Sequence, residues 1–206
     1  PLDIPSFTIG VQDTDVVVFP DSTTRPVELA AIIPETVNQD GFYGTINGVL
    51  THENGHNLFG FADLYDVNTG YPVVGLWSLM DSGNLAGTQV QLANGDVLYA
   101  IGLLPPSIDP FQRWFTSDVL DFVDVAWNDT LAIRDAARNP DMRRVWLTSD
   151  EYLLIENRYV TPGETLELDQ DSTTRVILGP KTPDRFEYDS LLPGSGLLVW
   201  HVDASV

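Results

Sequence analysis

The chain has 206 residues, 43% of them hydrophobic and 10% aromatic, enough to bury a core and too apolar for a disordered segment. Thirty acidic residues against ten basic ones give a net charge of −20, which disfavours a nucleic-acid partner because a phosphate backbone needs a basic surface. Cysteine is absent, excluding disulfides, thiolate metal sites and a cysteine nucleophile, and no apolar run reaches the roughly 18 residues of a transmembrane segment.

Lys181 is the only lysine, so arginine supplies the other nine cations. An acidic, lysine-poor surface favours solubility and suits high salt or a calcium-rich exterior. The first residue is Pro1 and no signal peptide is visible, as expected for a processed or excised segment of a longer precursor.

In chain order, residues 15–19 and 29–33 are apolar runs ended by Pro20 and Pro34 and read as strands. A polar, glycine-bearing link at 38–44 leads to a predicted helix over 45–59, with Ile46, Val49 and Leu50 at helical spacing and Gly60 as its stop. Residues 63–87 are rich in Gly, Asn, Asp and Ser and read as loop, and 84–104 read as loops that would shape substrate pockets. Pro105-Pro106-Ser107 marks the entry to a second helix, with Ser107 as N-cap and Ile108, Phe111, Trp114 and Phe115 on one face. From 129 onward the period becomes two, predicting antiparallel strands at 145–147, 152–156, 165–168, 175–178 and 196–202, with turns at Pro162-Gly163 and Pro193-Gly194. The pentapeptide Asp-Ser-Thr-Thr-Arg occurs at 21–25 and 171–175 with unrelated flanks, and is read as coincidence.

The predicted first helix contains Thr51-His52-Glu53-Asn54-Gly55-His56. Two histidines four apart share a helix face, so both imidazoles can bind one Zn²⁺ at roughly 2.0–2.1 Å. The glutamate after the first histidine then faces the metal's open position as a general base for water. With three histidines and eight glutamates in the chain, chance would produce this pattern on the order of once in several hundred shuffles. A third protein ligand is needed. Asp63, in the loop after Gly60, is the choice, with Asp66 and His201 as alternatives. The same loop could instead be an Asx-type turn, or a structural Ca²⁺ site using Asp63, Asp66 and Asn68. Met80, in the segment 75–83, is a candidate thioether floor beneath the metal.

These residues resemble the immune-inhibitor-A-like secreted metallopeptidases, a branch of the metzincins. The resemblance rests on His-Glu-x-Gly-His at 52–56, Asp-Leu-Tyr-Asp at 63–66, Trp-Ser-Leu-Met-Asp-Ser-Gly at 77–83, Glu-Tyr-Leu-Leu-Ile-Glu-Asn-Arg at 151–158 and Pro-Gly-Ser-Gly-Leu-Leu-Val-Trp-His-Val-Asp at 193–203. It implies an α+β, zincin-like catalytic part at 1–128, shortened at its N-terminus, and a mostly antiparallel β-rich part at 129–206 packed upon it. It further implies a catalytic zinc held by His52, His56 and Asp63, Glu53 as general base, Met80 as the Met-turn residue, export from the cell and protein or peptide substrates. Glu156, Arg158, His201 and Asp203 match family positions with no role assigned, structure being the expected one. The family places glycine three residues after the second histidine, whereas Gly60 comes four after His56. One extra helical residue rotates the downstream chain by about 100° unless the turn absorbs it. A different class of function, a catalytically inactive member of the fold acting as an extracellular binding or adhesion module, is the alternative. Oligomeric state and cleavage specificity are not encoded legibly.

Overall fold

The computed structural model describes residues 6–11, 16–34, 43–91, 94–116, 122–126, 128–139, 141–160, 168–173, 177–180 and 188–205. Asp15, the link at 38–42, the turn at Pro162-Gly163 and the strand segments 165–167 and 175–176 lie outside them. The described residues form an α+β protein with two helices, α1 (Asn47–Phe59) and α2 (Pro110–Thr116), and mostly antiparallel strands. None of its helices is long and apolar enough to cross a membrane.

Near the N-terminus, β1 (Phe7–Gly10) pairs antiparallel with β4 (Leu29–Ile32), and β2 (Val16–Val18) with β3 (Thr24–Pro26). Both β1 and β4 pack on α1. A three-stranded sheet comes next, in which β7 (Val97–Ile101) lies between β5 (Tyr43–Gly44), parallel to it, and β6 (Gly87–Gln91), antiparallel. The third sheet has the order β13-β10-β9-β8, from β8 (Val123–Asp124), β9 (Arg143–Trp146), β10 (Glu151–Arg158) and β13 (Gly196–Asp203). A separate pair joins β11 (Leu168–Gln170) to β12 (Ile177–Pro180).

In β10 the period-two pattern holds along its length. Tyr152, Leu154, Glu156 and Arg158 are buried while their neighbours are half-exposed, as one core-facing side of a pleated strand requires. The second half of that buried side is charged, and Arg158 and Glu156 are ion-paired at 2.8 Å. Apolar packing gathers in two places. Phe61, Leu79 and Met80, with Leu64 and Ile108 against them, lie beneath α1, and Val90, Ala100 and Leu103 pack with Tyr43 and Leu191.

Helix α1 starts two residues later than the predicted 45, because the Thr45 hydroxyl is committed to Gly102 O at 2.6 Å and the preceding chain runs as β5. It ends as expected at Gly60, whose φ of 68° is the left-handed conformation glycine adopts without strain. The helix buries Gly48, Val49, His52, Glu53 and Gly55, so its inward face carries chemistry more than apolar bulk. Gly55 has a steric reason to be glycine: a Cβ there would lie 2.9 Å from both Met80 Sδ and Phe61 Cδ2. The helix can therefore lie directly on the methionine.

Two expectations are corrected. Residues 87–91 and 97–101 pair as the antiparallel strands β6 and β7 and are not loop, within the span 84–104 that was expected to be loops. The alternation in Gly87–Gln91 and the Asn-Gly turn between two short runs were the available signals. Helix α2 begins at Pro110 instead of just after Ser107, and Asp109 occupies the capping position by accepting the Gln112 N–H at 3.0 Å. Its expected apolar face is also not the buried one: Gln112 is buried, while Trp114 and Phe115 are exposed.

Candidate metal centre

One turn of α1 separates His52 from His56, and the Gly60 turn folds the chain back so that Asp63 meets both. Asp63 Oδ1 lies 3.1 Å from His52 Nε2 and 3.2 Å from His56 Nε2, and the two Nε2 atoms are 3.2 Å apart. This near-equilateral triangle matches the donor spacing of a small ion held tetrahedrally at roughly 2.0–2.1 Å, for which ligand atoms lie about 3.3 Å apart. Among the described residues this is the one group of three or more His, Asp or Glu side chains arranged to hold a metal ion.

Hydrogen bonding fixes the state of each imidazole. His52 Nδ1 lies 3.0 Å from Leu79 O, and His56 Nδ1 lies 2.6 Å from Phe61 O. A carbonyl can only accept, so each Nδ1 carries a proton and each ring turns its Nε2 toward the other two atoms. Asp63 Oδ1 is itself buried, with no hydrogen-bond partner besides these two rings. Three electron-pair donors converging within about 3.3 Å repel one another unless a proton or a cation lies among them. Hard oxygen and imidazole nitrogen in this number and spacing suit zinc.

The electrostatics are those of a tightly coupled trio. Burial works to raise the Asp63 carboxyl, but hydrogen bonding and charge from His52 and His56 hold it well below the usual carboxylate range. His56 is pushed up from its ordinary 6.5, chiefly by Asp63 and against the opposing effect of burial. The Tyr65 ring stacks over His52 with centroids 6.3 Å apart, and burial, then the Asp63 charge, raise its hydroxyl.

Glu53 points from the same helix face and is buried, and its Oε2 accepts a 2.7 Å hydrogen bond from Thr8 Oγ1 on β1. Beneath the histidines Met80 is fully enclosed; its carbonyl accepts the Leu64 N–H at 2.8 Å. The segment around it is fastened by Asp81. Its Oδ2 accepts the N–H groups of Val73, Val74 and Gly75 at 2.7–2.9 Å, and its Oδ1 accepts the Ser82 amide and hydroxyl.

The other ligand alternatives are elsewhere. Asp66 is exposed and caps a turn by accepting the Asn68 N–H at 2.9 Å, the Asx-type arrangement expected of that loop. His201 is on the exposed side of β13, opposite Leu153 and 3.8 Å from Glu151 Oε2. The extra residue before Gly60 extends α1 to Phe59, and the cap takes up its rotation through Gly60 N–H to His56 O and Phe61 N–H to Gly55 O. Thr8, bonded to Glu53, and Gln112, bonded to the Ala62 backbone, also support this centre, and the sequence does not single them out. Each is about 50 residues from its partner, and nothing local in either stretch marks it.

An H-E-x-x-H helix with a returning carboxylate and a methionine beneath it is an arrangement that metallopeptidases use. Residues 31–97 match the family model for the immune inhibitor A peptidase M6 catalytic domain. The chain's resemblance to the immune-inhibitor-A-like metallopeptidases thus holds over that segment, which contains α1, Asp63 and Met80. No curated protein and no solved structure matches the chain.

Proposed function

We propose that this chain is the zincin-like core of a secreted zinc-dependent endopeptidase acting on proteins, with His52, His56 and Asp63 as ligands and Glu53 as general base. The observation that carries the reading is the convergence of two Nε2 atoms and one carboxylate oxygen within 3.2 Å of one another, each imidazole oriented by a backbone carbonyl. A bound zinc supplies Lewis acidity, polarising the scissile carbonyl and acidifying the attacking water. Glu53, with Oε2 fixed by Thr8, takes the water proton on Oε1 and delivers it to the departing amine. Tyr65, whose ring stacks on His52, would be the donor to the developing oxyanion in this reading. The β-rich residues 129–206 serve as a brace packed on this core.

The test is zinc stoichiometry together with casein hydrolysis. The expected result is about one zinc per chain with metal-dependent hydrolysis, and loss of both in Asp63→Ala, since a two-histidine site retains too few ligands. Zinc bound at full stoichiometry by Asp63→Ala would remove Asp63 from the ligand set. Absence of zinc from the unmodified chain would overturn the reading.

The pH dependence of zinc binding has a definite sign. In the metal-free chain the protonated form of His56 stabilises the fold fully below pH 6.5, and this contribution is lost as pH rises through its raised folded value. The lowered Asp63 carboxyl contributes above its ordinary 3.8 and loses that contribution only as pH falls through its lower folded value. Zinc must therefore displace the His56 proton but not one on Asp63. Its affinity is expected to rise about tenfold per pH unit until His56 has titrated, then flatten. Chelator-competition titrations across that range measure this, and an affinity independent of pH would contradict it.

A further inference from the structure

Between the second histidine and the third ligand, one residue has both of its backbone polar groups held by a single side chain. Ala62 N–H donates to Gln112 Oε1 at 2.9 Å, and Gln112 Nε2 donates to Ala62 O at 2.5 Å. A primary amide presents an acceptor and a donor side by side in one plane, so Gln112 supplies the pair of bonds that a neighbouring antiparallel strand would supply. Gln112 is 3% exposed. Burying its amide is unfavourable unless both bonds form, which makes its place in α2 specific to this contact.

Ala62 lies between the two residues that matter most in the loop. Phe61 O orients His56, and Asp63 supplies the carboxylate. On the far side of Asp63, Leu64 N–H is fixed by Met80 O. The backbone carrying Asp63 is therefore pinned immediately before and after it, by α2 on one side and by the segment beneath the histidines on the other. Helix α2 is itself anchored there, because Asp109, at its N-terminus, accepts from Ser78 Oγ at 2.9 Å and Ser78 Oγ in turn accepts the Met80 N–H.

We propose that Gln112 is a positioning residue for Asp63 that sets how tightly the centre holds its metal, an inference that rests on the zinc-site reading. It touches neither metal nor substrate. By holding the Ala62 peptide it preorganises the carboxylate against the two histidines, so that less ordering remains to be done when the ion binds.

The experiment uses the full chain and two variants. Gln112→Glu keeps the acceptor for Ala62 N–H but turns an oxygen toward Ala62 O, and Gln112→Met keeps the unbranched stem and loses both bonds. Zinc affinity by chelator competition and the d–d absorption of the cobalt-substituted protein are read beside the melting temperature of the metal-free form. Zinc affinity is expected to fall about 10–100-fold, with the cobalt spectrum moving toward that of Asp63→Ala. Should the new charge of Gln112→Glu prevent folding, Gln112→Met carries the decision. Unchanged affinity and spectrum in a folded variant would overturn the proposal, even with a lowered melting temperature, since that is what a merely structural glutamine gives. An unmodified chain that binds no zinc would remove the zinc site and this inference together, whereas normal zinc in the unmodified chain and in both variants would sink this inference alone.

Discussion

Glu53→Gln is expected to lower kcat/KM for protein substrates by about 10³-fold while leaving zinc content near one per chain, a loss of about 4 kcal/mol of transition-state stabilisation. The substitution is nearly isosteric, and its amide oxygen can still accept the Thr8 hydroxyl that fixes Glu53 Oε2 at 2.7 Å. Only the capacity to take a proton is removed. Because Glu53 is not among the three converging donors, metal retention and catalysis separate in this variant, whereas they are lost together in Asp63→Ala. Zinc analysis with steady-state hydrolysis measures both quantities. Retained zinc with unchanged hydrolysis would transfer the base role to another group. Zinc in the unmodified chain without hydrolysis would favour the inactive binding module.

The helix and the grouping of its two histidines were legible because both are local. His52, Glu53 and His56 fall within one stretch of α1, and the glycine that ends the helix comes directly after it. Asp63 was legible as a candidate among three, since choosing it over Asp66 and His201 requires knowing where the Gly60 turn sends the chain. Long-range partners were not legible. The Thr8–Glu53 bond spans 45 residues and the Gln112–Ala62 pair 50. Helix α2 was misread for a related reason: apolar spacing points Trp114 and Phe115 inward, yet the interior it faces consists of backbone groups and buried charge, which select Gln112 and Asp109. The β6–β7 hairpin was missed because its strands are five residues each and β7 is an unbroken apolar run whose first three residues are exposed, so it lacks the period-two pattern.

Arg158→Leu is expected to destabilise the folded chain by about 3–5 kcal/mol, the usual consequence of leaving buried ionic partners uncompensated. The Arg158 side chain is wholly buried, with Nε 2.8 Å from Glu156 Oε1 and an Nη1 2.9 Å from Asp189 Oδ1. Its other Nη donates to Ile108 O at 3.2 Å, just ahead of α2. Asp189 also accepts the Ser107 N–H, and Trp200 Nε1 donates to Glu156 from β13. The guanidinium thus joins β10 to the segment that launches α2, and through α2 to Ala62 and Ser78. Burial pushes the Glu156 carboxyl up, and the Arg158 charge is the largest influence opposing it. Without Arg158 only the Arg113 charge still opposes burial, and the preference of the folded state for a protonated Glu156 increases. Where the folded state holds the extra proton, stability falls as pH rises. The deficit relative to the unmodified protein should therefore grow from the ordinary carboxylate range toward neutral pH, and urea denaturation of both proteins at several pH values would measure it. A loss below about 1 kcal/mol that does not vary with pH would mean that the two carboxylates are satisfied by other groups. A loss of the expected size and slope, accompanied by weaker zinc binding under conditions where the variant is still folded, would mean that the β-rich sheet helps hold the metal loop in position.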